Sequence, residues 1–100
     1  MKILITGSAG QLGCALQTTL ASHELIAYDR EELDITQFAQ VREAVAAHRP
    51  TVVINAAAHT NVDGAETDSL AAYKLNAVAP RNLAIATAEL GIPLIHVSTD

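Results

Sequence analysis

Gly7, Gly10 and Gly13 fall in Thr6-Gly7-Ser8-Ala9-Gly10-Gln11-Leu12-Gly13, directly after a short apolar run and at the opening of a helical pattern. Their G-x-x-G-x-x-G spacing is a variant of the dinucleotide fingerprint, with one more residue between the first pair. Gly7 is expected to allow the tight turn from strand to helix. Gly10 would let the backbone approach a pyrophosphate, and Gly13 would let helix and sheet pack closely. The helix opening at Gln11 and Leu12 then offers N–H groups and a positive dipole end to the phosphates. Asp29 stands 22 positions after Gly7 (29 − 7), at the end of the next apolar run. An acid there accepts hydrogen bonds from the adenosine ribose and repels a 2′-phosphate. Arg30 follows it and could pair with that phosphate, so NAD and NADP stay open. Asp29 as a simple turn residue is the plain alternative. Asp34 and Ile35 are placed to flank the adenine ring, although helix entry explains them almost as well.

The elements that must position these residues follow from hydrophobic patterning. Lys2–Thr6, Thr51–Asn55 and Pro93–Ser98 read as short buried strands, with a weaker one at Glu24–Tyr28. Helical patterns span Gln11–Ala21, Thr36–His48 and about Glu66 to Leu90, with Thr36 as N-cap of the second and Pro50 and Gly91 at helix exits. The alternation predicts an α/β, doubly wound parallel sheet of Rossmann type, with right-handed crossovers and strand order 3-2-1-4. Asn55-Ala56-Ala57-Ala58 closes the third strand, where small side chains leave room for a ribose and pyrophosphate. His59 and Thr60 follow at the rim, His59 being equally readable as a loop residue. His96, within the last strand, reads as an interior or flank residue, and Cys14 as a small buried hydrophobe.

Half of the residues are hydrophobic and 17% are charged, which fits a chain that buries a core and argues against disorder. With 3% aromatics and no Trp, that core must be aliphatic and alanine-rich. The net charge of −5 and the thin scatter of six Lys/Arg leave no basic patch for nucleic acid. The first apolar run stops at Gly7, too short for a signal core or a membrane span. One cysteine excludes an internal disulfide and suits a reducing, cytoplasmic setting. No His, Cys or carboxylate cluster has metal-ligand spacing. The sequence reaches Asp100 just after a strand. A doubly wound domain has about six strands, so residues 1–100 are expected to be the N-terminal part of a longer domain.

With these residues in hand, the chain resembles the extended short-chain dehydrogenase/reductases, and most closely the dTDP-4-dehydrorhamnose reductases. The resemblance runs through Lys2–Gly13, Leu33-Asp34-Ile35, Arg49–Asn55, Asn55-Ala56-Ala57-Ala58-His59-Thr60, Val62-Asp63, Ala65-Glu66, Leu75-Asn76-Ala77 and Ser98-Thr99-Asp100. Gly64, where the family commonly has Lys, and Cys14, where a larger residue is usual, depart from it. It implies reduction of the 4-keto group of a deoxy-sugar nucleotide by NADH or NADPH, with no membrane partner; a homodimer is left open. A Tyr-x-x-x-Lys pair and a Ser/Thr would polarise and protonate the carbonyl, and Thr99 matches that Ser/Thr. Tyr73 and Lys74 are adjacent and cannot be the pair, which needs i, i+4 spacing. Pro80 lacks the N–H that would bond the carbonyl of Asn76, four residues earlier. The resemblance implies that this carbonyl faces the active site and holds a water; a kinked helix without function is the plain alternative. Other sugar-nucleotide epimerases or dehydratases remain rivals, as does a non-catalytic regulatory subunit like the partner of methionine adenosyltransferase.

Overall fold

The computed structural model describes residues 1–57, 70 and 73–97. Its elements are β1 (Lys2–Thr6), α1 (Gln11–Thr19), β2 (Glu24–Tyr28), α2 (Phe38–His48), β3 (Val52–Asn55), a π-helical turn (Lys74–Val78), α3 (Ala79–Glu89) and β4 (Leu94–His96). All strand pairings are parallel, as the β-α alternation predicts.

The strand order is β2-β1-β3-β4, which corrects the expected 3-2-1-4. Burial gives the reason. Four of the five residues of Lys-Ile-Leu-Ile-Thr in β1 are buried, as a strand with a neighbour on each side requires. Glu-Leu-Ile-Ala-Tyr in β2 is exposed at Glu24 and only half-buried beyond it, which suits an edge. After β2 the chain makes turns and then α2, and β3 pairs on the free side of β1. With both sides of β1 taken, β4 adds beyond β3.

Side-chain alternation along the strands builds two cores. Leu4 and Val53 join Leu33, Ile35, Val41, Val45, Ala79, Leu83 and Ala86 under α2 and α3. Ile3, Ile5 and Ile54 face the other way, against Leu16 of α1 and Leu20 at its C-terminal cap. One helix therefore covers one face and two cover the other. Removing a large aliphatic side chain from either core would cost roughly 2–5 kcal/mol.

Element ends differ from the sequence reading where local chemistry competes. Thr36 does not cap α2: its N–H and hydroxyl both donate to Asp34 Oδ1, at 3.0 and 2.6 Å. The helix begins instead after Gln37. At the far end Arg49 adopts φ 45°, and the buried Pro50 follows. Gly91 at φ 67° turns the chain from α3 toward β4. Of the long helical pattern, the described part is Leu70, Tyr73, the π-turn and α3. Among the described residues no helix is long and apolar enough to cross a membrane.

Candidate dinucleotide-binding edge

The connection leaving β1 enters α1 on one face of the sheet, while α3 lies on the other face. A crevice therefore opens between the carboxyl ends of β1 and β3, where open α/β sheets bind ligands. The glycine loop sits there. It is anchored by Ser8 N–H donating to Tyr28 O (3.0 Å) and by Gln17 Nε2 donating to Ser8 O (3.0 Å) and Gly13 O (3.1 Å).

The three glycines have different reasons. Gly7 has φ 77°, and a Cβ on it would lie 2.5 Å from Ala57 N and 2.7 Å from Ala56 C. A Cβ on Gly13 would lie 2.1 Å from Gly7 O and 2.8 Å from Ser8 Cα. Both positions are closed to a side chain by the protein itself. Gly10 is not: its φ −75° and ψ 169° suit any residue, and its nearest neighbour would be Gly7 O at 3.5 Å. Gly10 is also the N-cap of α1, with no side-chain cap bond and no acid in the first turn. The first N–H groups of α1, around Gln11 and Leu12, thus sit beside open space at the positive end of a helix. That geometry fits a pyrophosphate.

Asp29 follows β2 and is tied into a turn. Its Oδ1 accepts from Glu31 N (3.0 Å) and Glu32 N (2.9 Å), while its own N–H donates to Glu32 Oε1 at 3.1 Å. This reciprocal pair has the form of a capping box on a single turn. Arg30 beside it is exposed. Ile35 is not a surface flank but part of the core, and its carbonyl accepts from Asn82 Nδ2 at 3.0 Å. Asp34 is half-buried in the turn it makes with Thr36.

Ala56 and Ala57 lie at the exit of β3, Ala56 N–H donating to Thr6 O at 3.0 Å. Ala58, His59, Thr60 and Thr99 lie outside the described residues, so their placement is not described. Asn76 is exposed on the π-turn. The backbone there widens, with Ala79 N–H bonding Lys74 O five residues back, and Asn76 keeps an interaction of its own. Pro80, four residues on, has no N–H to offer the Asn76 carbonyl, and the π-turn lies at that point of the chain. Cys14 is exposed, not buried, with Sγ 3.5 Å from Ser8 O. His96 is exposed as well, and its Nδ1 lies 3.0 Å from Asn55 Nδ2.

Sequence reasoning passed over Thr6 and Asn55. Both are fully buried, and Thr6 Oγ1 donates to Asn55 Oδ1 at 2.7 Å. The signal was present: register aligns Tyr28, Thr6, Asn55 and His96 as one rung, polar on every strand, just beyond the apolar rung of Ile26, Leu4, Val53 and Leu94.

This edge is that of a Rossmann-type α/β domain. The RmlD substrate binding domain family matches residues 1–100, and the chain belongs to that family. It is 48% identical over 103 residues to a probable dTDP-4,6-dihydroxy-2-methyloxan-3-one 4-ketoreductase of Streptomyces antibioticus, covering 100% of this chain and 35% of that protein. It is 45% identical over 101 residues to a dTDP-4-dehydrorhamnose reductase of Mycobacterium tuberculosis, covering 99% and 33%. The crystal structure of dTDP-4-dehydrorhamnose reductase from Bacillus anthracis in complex with NADP superposes with TM-score 0.87 at 40% identity, covering 93% and 34%. The chain spans about a third of the length of the relatives it matches.

Proposed function

We propose that these residues are the N-terminal, cofactor-binding part of a reductase that uses NADPH or NADH to convert dTDP-4-dehydro-L-rhamnose to dTDP-L-rhamnose. The observation that carries the reading is Gly10: a position whose open space no internal contact demands, on an uncapped helix N-terminus at the crevice between β1 and β3. The names of the similar proteins supply the substrate class and the NADP of a neighbour's complex. Within the chain, the N–H groups at Gln11, Leu12 and Gly13 hold the pyrophosphate, Gly10 leaves its backbone open to it while its own N–H donates to Gly7 O, and Gly7 brings the loop against Ala56 and Ala57. Asp29 and Arg30 meet the adenosine ribose, and Asp34 flanks the adenine, its segment anchored in the core by the buried Ile35. Ala58, Thr60 and Asn76 line the nicotinamide side, and Thr99 donates a hydrogen bond to the keto oxygen. A bound nicotinamide supplies the hydride. A Tyr-x-x-x-Lys pair, which residues 1–100 do not contain, delivers the proton. The single cysteine and the sugar-nucleotide substrate both suit the cytoplasm.

Gly10→Val in the full-length protein tests this reading. The backbone there accepts a side chain, so the unfolding midpoint should hold. Dinucleotide affinity by calorimetric titration should fall at least about tenfold, or about 1.4 kcal/mol. Unchanged affinity in the folded variant would remove the phosphate-loop assignment.

A further inference from the structure

Three neighbouring strands end in a hydrogen-bonded chain whose donors and acceptors can be assigned one by one. The Ala57 N–H can only donate and lies 3.1 Å from an amide atom of Asn55, so that atom is Oδ1. Thr6 Oγ1 donates to the same oxygen at 2.7 Å. The Asn55 NH₂ therefore faces His96, whose Nδ1 is 3.0 Å away. An amide NH₂ only donates, so Nδ1 must carry the lone pair and the ring hydrogen sits on Nε2.

We infer that His96 is a positioning residue for the dinucleotide site: as the Nε2–H tautomer it accepts from Asn55 and fixes the amide that holds the Ala57 N–H beside the phosphate loop. The inference rests on the dinucleotide reading above. Asn55 is fully buried, so in the folded protein its NH₂ needs a protein acceptor, and His96 is the residue placed to supply it. With that acceptor removed, the Asn55 NH₂ is left unsatisfied. Turning the amide over would let the NH₂ donate to Thr6 Oγ1, but only by breaking the bond that Oδ1 accepts from the Ala57 N–H. Ala57 N is also the atom nearest to where a Gly7 Cβ would stand, 2.5 Å from it. The exit of β3 and the phosphate loop touch at this point, so an error in the Asn55 rotamer passes directly to the cradle. Because His96 is itself exposed, packing does not dictate an imidazole there.

The test uses full-length protein labelled with ¹⁵N-histidine, the His96 signal being assigned by its loss in His96→Asn. Long-range proton–nitrogen correlation should show Nδ1 bare and Nε2 protonated. In Asn55→Asp the carboxylate only accepts, so a proton should move to Nδ1. Dinucleotide affinity should fall about tenfold in His96→Leu, equivalent to about 1.4 kcal/mol. His96→Asn, whose Oδ1 takes the place of Nδ1, should restore it to within about twofold, about 0.4 kcal/mol. If His96→Leu does not fold, His96→Lys, donor-only at an exposed site, takes its place. Wild-type protein that binds no dinucleotide overturns the underlying reading and the role of His96 with it. Wild-type binding accompanied by a protonated Nδ1, or by full affinity in the Leu or Lys variant, overturns the positioning role alone.

Discussion

At the scale of single residues, spacing in the sequence found the glycines and divided their roles, giving Gly7 the turn, Gly13 close packing and Gly10 the approach of a pyrophosphate. Gly7 and Gly13 are excluded from bearing a side chain by atoms of the protein, whereas Gly10 is open. The fingerprint spacing carries that division, while the atoms that close each position, Ala57 N for Gly7 and Gly7 O for Gly13, come only with the fold. Asp29 was legible in the same partial way. Its position after β2 marks a ribose acceptor, yet the structure shows its Oδ1 already engaged by two backbone N–H groups. Asp29→Ala would therefore disturb the turn and the ribose contact together. Asp29→Asn separates them, because its amide oxygen still accepts from Glu31 and Glu32 while the negative charge is lost. In steady-state kinetics the ratio of NADPH to NADH efficiency should rise, with little change in the unfolding midpoint. A ratio that stays put would leave Asp29 as a turn residue.

At the scale of elements, the strands were readable because each is a short apolar run, and β1 and β2 match their sequence bounds. Helix starts were less legible, since short polar side chains choose among local partners: Asp34 binds Thr36 and so delays α2 to Phe38. The π-turn before α3 lies just where Pro80 removes a helical N–H, so the signal was seen but its structural answer was not. Asn82 was missed because a polar residue in a helix reads as solvated. It is buried on α3 and donates to Ile35 O across 47 residues of sequence. This bond ties α3 to the segment proposed to back the adenine. Asn82→Ala strands the Ile35 carbonyl and should lower stability by about 1–3 kcal/mol in urea titration. A loss below about 0.5 kcal/mol would mean that water or a neighbour satisfies the carbonyl. The Arg42–Glu89 ion pair between α2 and α3 measures 3.0 Å but is exposed, and Arg42→Ala should matter far less.

At the scale of the whole molecule, parallel class and layered helices were legible from the alternation of elements, but strand order was not. Order depends on which side of β1 each crossover returns to, and both orders share one hydrophobic pattern. The observed order leaves β4 paired on one side only among the described residues, with Ile95 in its middle 50% exposed. A parallel strand in that state presents unpaired backbone groups beside apolar surface, a template for association. The net charge of −5 opposes self-association only weakly at physiological salt. Residues 1–100 produced alone should therefore associate through β4 as concentration rises, as seen by light scattering. Ile95→Lys should reduce that association, because a charged edge resists strand addition. The same preparation should show no turnover of the 4-keto sugar nucleotide, since the proposed proton donor is not among these residues. A monodisperse 100-residue monomer would contradict the open edge. Measurable turnover would place the whole catalytic apparatus within these residues and overturn the proposed division of the site.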